Sequence, residues 1–216
     1  MSLIISHKKK YIFFHLPKNA GVSISRALIN QENRLKFKRF LTYFQKFFLE
    51  KKDSFYLGLN PFEFFFYNSH IPCYKFYSFM KNSNILDSYY KFAVVRNSWD
   101  RMVSRYFYSK KISRQFQSFS FEEFIDYDLK NNMHVLQQYE FCTYDKKNIC
   151  LNKIIRFENL EKDLDEVTLK LFNKTGLLIH ANKSDRKKYR SYYNSKLKKK
   201  IHNAFEKDIN FFNFTF

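Results

Sequence analysis

The segment from Tyr11 to Ser25 constrains the fold most strongly, because it changes from an apolar run to a turn and then to a helical pattern. Residues Ile12 to Phe14 are β-branched or aromatic, as in a buried parallel strand. Pro17 and Gly21 mark the turn, and apolar residues at helical spacing follow it: Val22, Ile24, Ala27 and Leu28. The pattern predicts a strand, a loop and a helix whose N-terminus faces the loop.

The predicted loop has the features of an anion-binding site. Backbone N–H groups at a helix N-terminus are unpaired and lie at the positive end of the helix dipole. Gly21 would let an oxygen of the anion approach the backbone, and Lys18 adds a cationic side chain. The predicted ligands are Lys18, Asn19, Ala20, Gly21, Val22 and Ser23. Because the lysine precedes the glycine, the loop is not a Walker A motif, which weighs against an ATPase or GTPase.

Two further apolar runs predict strands, Phe62–Tyr67 and Lys91–Val95. Strands that alternate with helices predict an α/β fold: a single P-loop-like domain over residues 1–216, with a central, mainly parallel sheet flanked by helices. Ligands of such sheets bind beyond the carboxyl ends of the strands. Each predicted strand is followed there by a polar candidate: Lys18, His70 and Arg96.

The remaining pattern predicts further helices and one hairpin. Ser120 and Glu123 have the spacing of a capping box at the start of a helix. The other predicted elements are an amphipathic basic helix from Leu35 to Lys52, helical turns from Tyr74 to Tyr90, a helix after Arg96, a hairpin across Phe141–Phe157, a helix through Leu160 and Leu171 that stops near Gly176, and a last helix from Ser195 to Asp208.

Charge limits the class of ligand. The chain has 39 Lys and Arg against 20 Asp and Glu, a net charge of +19, which favours polyanions or phosphorylated small molecules. Nucleic acids, acidic glycans and nucleotide cofactors all fit this charge. The apolar run from Leu3 to Ile5 is too short for a membrane anchor, and no apolar stretch of about 18 residues follows it. We therefore expect no transmembrane segment and a cytoplasmic protein.

Cysteine usage predicts reduced thiols. Cys73, Cys142 and Cys150 form an odd set without the spacing of metal ligands. A bridge between Cys142 and Cys150 across the predicted hairpin is the alternative.

Arg96 and Ser104 predict a second phosphate site. They lie eight residues apart, the arginine at a strand exit and the serine about two turns into the next helix. The planar guanidinium donates two charge-assisted hydrogen bonds, and a serine hydroxyl can serve a third oxygen. His70 is the candidate general base, since a histidine with a pKa near neutral can accept a proton at cellular pH. Glu63 is the alternative base.

The loop around Lys18 and the segment that contains Arg96 and Ser104 both resemble the same protein family. Pro17–Ser23 is similar to the 5′-phosphosulfate loop, and Lys91–Ser104 to the 3′-phosphate segment, of sulfotransferases that use 3′-phosphoadenosine 5′-phosphosulfate (PAPS). The likeness is to the carbohydrate, heparan and chondroitin type. Ser98 stands where that family usually has proline. Later blocks also resemble the family: Arg156–Leu160, Asn182–Tyr193 and Asp208–Phe216.

The resemblance implies transfer of a sulfuryl group from PAPS to a hydroxyl of an acceptor such as a glycan or glycolipid, leaving adenosine 3′,5′-bisphosphate. It implies His70 as the base and Lys18 as the group that stabilises the leaving oxygens, with no metal. Lys183 and Ser184 would lie on a loop that closes over the 3′-phosphate. An anionic acceptor would face Arg186, Lys188 and Arg190.

Two other functions remain open from the sequence. A small-molecule kinase would use Lys18 and its loop for ATP and would require Mg²⁺, but no convincing Walker B segment follows a strand. A non-enzymatic polyanion binder would account for the net charge of +19. The resemblance implies no nucleic-acid partner. Since animal members act in the Golgi behind a membrane anchor, we expect a microbial or viral enzyme.

Overall fold

The protein is described by a computed structural model that covers residues 3–32, 64–67, 70, 72–79, 88–131, 137–145, 147–178 and 186–216. The described residues form one five-stranded sheet in the order β3-β1-β2-β4-β5. Its strands are β1 Leu3–Ser6, β2 Tyr11–Phe14, β3 Phe64–Tyr67, β4 Tyr90–Val95 and β5 Lys153–Arg156. The helices in these ranges are α1 Gly21–Glu32, α2 Cys73–Phe79, α3 Ser98–Ile112, α4 Phe121–Lys130, α5 Gln138–Cys142, α6 Leu160–Phe172, α7 Ser195–Ala204 and α8 Glu206–Phe212.

The sheet is mainly parallel, as the sequence predicts. Strand β2 pairs in parallel with β4, which pairs in parallel with β5. Strand β1 is antiparallel to both β2 and β3, so β3 runs in the same direction as β2. The carboxyl ends of β2, β3, β4 and β5 therefore lie at one edge of the sheet.

Alternate side chains of β1, β2, β4 and β5 fill two apolar layers, because successive residues of a strand point to opposite faces of the sheet. Ile12 and Phe14 belong to one core with residues of α2, α3, α4, α5, α7 and α8. Tyr11 and Phe13 belong to the other, with residues of α1 and α6. Burial on both faces explains why the strands are continuous apolar runs rather than alternating ones.

Strand β1 is an element that the sequence analysis missed. We considered Leu3–Ile5 only as too short for a membrane anchor, yet it pairs antiparallel with β2, Ile5 lying opposite Ile12. Among the described residues, no helix is long and apolar enough to cross a bilayer.

The hairpin predicted across Phe141–Phe157 is wrong. A single antiparallel bridge joins Thr143 to Ile149, and the chain then leaves this turn. Residues Lys153–Arg156 instead form β5, which pairs in parallel with β4, Phe92 lying opposite Lys153. Ile155 of β5 is completely buried in one of the two core layers.

Several helix boundaries differ from the prediction. Helix α6 ends at Phe172 with Asn173 in the left-handed region, so Gly176 lies beyond its end. The predicted last helix from Ser195 to Asp208 is two helices, α7 and α8, which meet at Phe205. Within the helical turns predicted from Tyr74 to Tyr90, the structure has α2 up to Phe79 and a helical residue at Ser88, residues 80–87 lie outside the described ranges, and Tyr90 opens β4. The predicted helix from Leu35 to Lys52 lies outside the described residues.

The capping box at α4 is confirmed. The backbone N–H of Ser120 donates to the Glu123 carboxylate at 2.7 Å, and the N–H of Glu123 donates to the Ser120 hydroxyl at 3.3 Å. This pair fixes the start of α4, which packs on α3.

The cysteine prediction is also wrong, because the structure joins Cys73 to Cys150 in a disulfide across 77 residues of sequence. Cys73 opens α2 and Cys150 precedes β5, and both lie in the same core layer. Cys142, the partner considered from the sequence, is a buried thiol. Since stable disulfides are typical of oxidising compartments, the pairing weighs against the cytoplasmic location that we expected.

Candidate active site

A cavity of about 860 Å³ lies beyond the carboxyl ends of β2, β4 and β5. This volume is in the range of small-molecule sites, about 300–1,000 Å³. Its walls are the residues after β2 (His15, Lys18–Ser23), after β4 (Arg96, Asp100, Ser104) and after β5 (Phe157–Lys162), together with Leu178 and Arg186–Arg190. The cavity therefore collects side chains from three strand ends, where an α/β sheet binds its ligands.

The loop between β2 and α1 is held in a costly conformation. Lys18 and Ala20 have φ values of 68° and 58°, in the left-handed region that costs a non-glycine residue about 1–2 kcal/mol. Arginines behind the loop hold its carbonyls: Arg101 Nε donates to Pro17 O at 3.2 Å, and Arg96 Nη1 donates to Lys18 O at 3.0 Å. The surrounding structure therefore imposes the loop shape, which leads into the N-terminus of α1.

Gly21 is required by a neighbour that the sequence analysis did not consider. A Cβ atom at Gly21 would lie 1.7 Å from Cδ2 of His15. The His15 ring is buried and stacks on Phe13, with ring centroids 6.1 Å apart. We expected Gly21 to make room for an anion, but in the structure the side chain that it accommodates is His15.

The Lys18 ammonium lies close to other cations. Its Nζ is 3.5 Å from the centroid of the Tyr108 ring, over the negative face of the aromatic system. Burial, together with the charges of Arg96 and Arg105, lowers the pKa of Lys18 to about 8. An anion in the cavity would relieve this repulsion.

Arg96 is buried at the exit of β4, and its guanidinium has several partners. Its Nε donates to the Asp100 carboxylate at 2.7 Å, and its Cζ lies 3.7 Å from the centroid of the Phe157 ring. Asp100 also accepts from Arg186 Nη2 at 2.6 Å. Burial lowers the pKa of Arg96, whereas Asp100 raises it. Ser104 lines the same cavity two turns along α3.

His70 lies beside the cavity rather than in its lining. Its Nδ1 is 2.8 Å from the carbonyl oxygen of His15, and the two rings are in T-shaped contact at 5.1 Å. Because a carbonyl only accepts, Nδ1 carries the proton and Nε2 keeps its lone pair. Burial lowers the pKa of His70, an effect that the charge of Arg101 assists and the hydrogen bond to His15 opposes. His70 is therefore neutral at pH 7.

A model of the sulfotransferase family matches residues 1–215. The chain belongs to the sulfotransferase family. No curated protein and no solved structure matches it. Membership supports sulfuryl transfer as the general reaction, and it favours neither the kinase nor the polyanion binder.

Most of the sulfotransferase residues predicted from the sequence meet at this cavity. Its lining includes Lys18, Asn19, Ala20, Gly21, Val22, Ser23, Arg96 and Ser104, and also Arg186, Lys188 and Arg190. The Asn19 side chain is turned inward, however, and donates to Val94 O at 2.7 Å. Lys183, Ser184 and Glu63 lie outside the described residues.

Sequence reasoning missed two residues that line the cavity, His15 and Asp100, and one that contacts lining residues from behind, Gln138. His15 directly follows the apolar run of β2, and Asp100 is one helical turn from Arg96, so their positions in the sequence could have drawn attention to them. Gln138 gives no such signal, because it lies more than 40 residues from either segment that it contacts.

Proposed function

We propose that this sulfotransferase transfers the sulfuryl group of PAPS to a hydroxyl group of a carbohydrate acceptor. The observation that carries the proposal is the meeting of Lys18 and its loop with Arg96 and Ser104 at one cavity. Two cationic sites in one cavity suit a donor with phosphate at both its 5′ and 3′ positions. We further propose that residues 1–216 act as one domain.

The residues present fit this donor. Lys18 and the backbone N–H groups of Asn19–Ser23 would hold the 5′-phosphosulfate, where α1 presents its N-terminus. Arg96 and Ser104 would hold the 3′-phosphate, and the predicted ligands Lys183 and Ser184 would complete this side. Leu160 and Leu178 give the same cavity apolar wall surface that suits an adenine ring. PAPS would supply the sulfuryl group, and the bridging oxygen would stay on the 5′-phosphate of the product, adenosine 3′,5′-bisphosphate.

The proposed chemistry is an in-line displacement at sulfur. His70 Nε2 takes the proton of the acceptor hydroxyl while the new O–S bond forms. The bond between sulfur and the bridging phosphate oxygen breaks, and its electron pair stays on that oxygen. Lys18 and the amides of its loop stabilise the charge that develops there. His70 then releases its proton to solvent.

A basic rim supports an anionic glycan or glycolipid as acceptor. Lys187, Lys188 and Arg190 line the cavity and are exposed. These side chains would donate charge-assisted hydrogen bonds to acidic groups of the acceptor, while the acceptor hydroxyl would approach His70. These residues follow the segment of Lys183 and Ser184, so donor and acceptor sites would adjoin.

A transfer assay with radiosulfate-labelled PAPS tests the proposal. Neutral oligosaccharides, acidic oligosaccharides and glycolipids serve as acceptors. We expect label in an acidic glycan or glycolipid, with turnover about 10²–10⁴-fold lower in His70→Ala. His202→Ala is the matched control, because His202 lies in α7 stacked on Trp99. Wild-type turnover in His70→Ala would remove His70 from the role of base, and failure of PAPS to label any acceptor would contradict the proposal.

A further inference from the structure

One buried glutamine connects the two segments that would bind the two phosphates. The side-chain oxygen of Gln138 accepts from Asn19 Nδ2 at 2.7 Å and from the backbone N–H of Arg96 at 2.9 Å. Its side-chain nitrogen donates to Arg96 O at 2.9 Å. Gln138 therefore contacts the loop after β2 and the exit of β4 with a single amide group.

The contacts require an amide at this position. The side chain of Gln138 forms hydrogen bonds with both the N–H and the carbonyl of Arg96. A neighbouring β-strand would form the same pair of bonds if the sheet continued beyond β4. A carboxylate could accept these bonds but could not donate to Arg96 O, and an apolar side chain could do neither. Gln138 and Asn19 are both almost completely buried, so water could not replace a lost bond easily.

The backbone of Gln138 is itself fixed by a buried charge. Asp208 of α8 accepts from the N–H of Gln138 at 2.8 Å and from the N–H of Tyr139 at 2.9 Å. Arg101 lies 3.9 Å from the Asp208 carboxylate and donates to Pro17 O on the loop. Asp208 and Arg101 thus connect the backbone of Gln138 to the loop after β2.

We propose that Gln138 is a positioning residue that sets the separation between the 5′-phosphate and 3′-phosphate sites. This inference rests on the proposed function. Gln138 does not line the cavity, so it acts through Asn19 and Arg96 rather than on the ligand. A ligand with both phosphates needs both segments at the right distance, whereas a ligand with one phosphate needs only one of them.

The test compares the affinities of three probes for the full chain: adenosine 3′,5′-bisphosphate, adenosine 5′-monophosphate and adenosine 3′-monophosphate. In Gln138→Leu we expect the affinity for the bisphosphate to fall about 10- to 100-fold, because displacement of a binding group by about 1 Å has effects of this size. The affinity for each monophosphate should fall less than about threefold, which corresponds to less than about 0.7 kcal/mol. Gln137→Leu is the matched control, because the adjacent Gln137 donates to Ala204 O on α7 instead.

Gln138→Glu provides a second variant that keeps the length and the accepting oxygen but loses the donor. We expect the same selective loss of bisphosphate affinity, so the inference stays testable if Gln138→Leu does not fold. Parallel losses for all three probes, or affinities equal to those of Gln137→Leu, would overturn it. Wild-type protein that binds none of the probes would overturn the proposed function as well, whereas wild-type binding with an unaffected variant would overturn this inference alone.

Discussion

At the scale of single residues, the site depends on two side chains whose pKa values are lowered. Lys18 loses its proton more easily than an ordinary lysine because it is buried among arginines. His70 is neutral at pH 7, and its Nδ1 donates to His15 O, which keeps Nε2 available as a proton acceptor. In the proposed reaction Lys18 must be charged and His70 must be uncharged, so activity should fall at both low pH and high pH.

The first prediction is a bell-shaped pH dependence of kcat/KM. Activity should rise with pH as His70 becomes neutral, with a midpoint below its ordinary value of 6.5. It should fall again about pH 8, where Lys18 loses its charge. In Lys18→Arg the alkaline limb should disappear, because arginine stays protonated there. An alkaline limb that is unchanged in Lys18→Arg would show that another group causes it.

The second prediction concerns the contact between Gly21 and His15. Gly21→Ala should lower the free energy of unfolding by about 1–3 kcal/mol, since its Cβ would overlap the buried His15 ring. In a His15→Ala background the same change should cost much less, and chemical denaturation of the four proteins measures the difference. Val22→Ala is the control, because Val22 is exposed. Equal costs in both backgrounds would exclude the steric explanation.

At the scale of elements, a buried ion pair joins the loop after β2 to the C-terminal helices. Arg101 of α3 contacts both Pro17 O and the Asp208 carboxylate, and Asp208 holds the start of α5. Burial raises the pKa of Asp208, and the charge of Arg101 with the two N–H groups opposes this rise. Both side chains are inaccessible to solvent, so each depends on the other.

The third prediction follows from this pair. Asp208→Ala should destabilise the fold by about 3–5 kcal/mol, because it removes the buried carboxylate that lies beside the buried Arg101 charge. Glu122→Ala, which breaks the exposed pair with Lys196, should cost less than about 1 kcal/mol. Urea denaturation measures both. Costs of similar size would mean that the buried pair has no special part in stability.

The elements also show how far the sequence determines the structure. Strands β2 and β4 are predicted well because each is an apolar run that is followed by turn residues and an amphipathic helix. Strand β1 has four residues like β2, but no turn and helix pattern follows it in the sequence, and it is held by pairing with β2 and β3. Strand β5 follows a local turn, yet tertiary pairing with β4 prevails over a hairpin. Local patterns carry no information about such partners.

The same limit applies to the candidate site. Lys18, Arg96 and Ser104 are recognisable because each lies in a local motif at a strand end. Gln138 depends on contacts across 42 and 119 residues of sequence, so no local pattern marks it. Supporting residues of this kind become visible only when the chain is folded.

At the scale of the whole molecule, the Cys73–Cys150 disulfide joins α2, which follows His70, to the segment before β5. We predict that Cys73→Ser lowers the free energy of unfolding by about 2–4 kcal/mol, because the bridge closes a long loop of the unfolded chain. Cys142→Ser should have no effect on the number of thiols lost on oxidation, since Cys142 is not bridged. Thiol titration under denaturing conditions, with and without reductant, measures the pairing. Three reactive thiols before reduction would contradict it.

The central claim is that the cavity binds a nucleotide with phosphates at both the 5′ and 3′ positions. Its most direct test is a thermal-shift titration with adenosine 3′,5′-bisphosphate, run beside ATP and ADP with and without Mg²⁺. At 100 times its dissociation constant, the bisphosphate should add about 2.7 kcal/mol and raise the midpoint by about 5–10 °C without metal. A shift that requires ATP and Mg²⁺, with none from the bisphosphate, would contradict the account and favour a kinase.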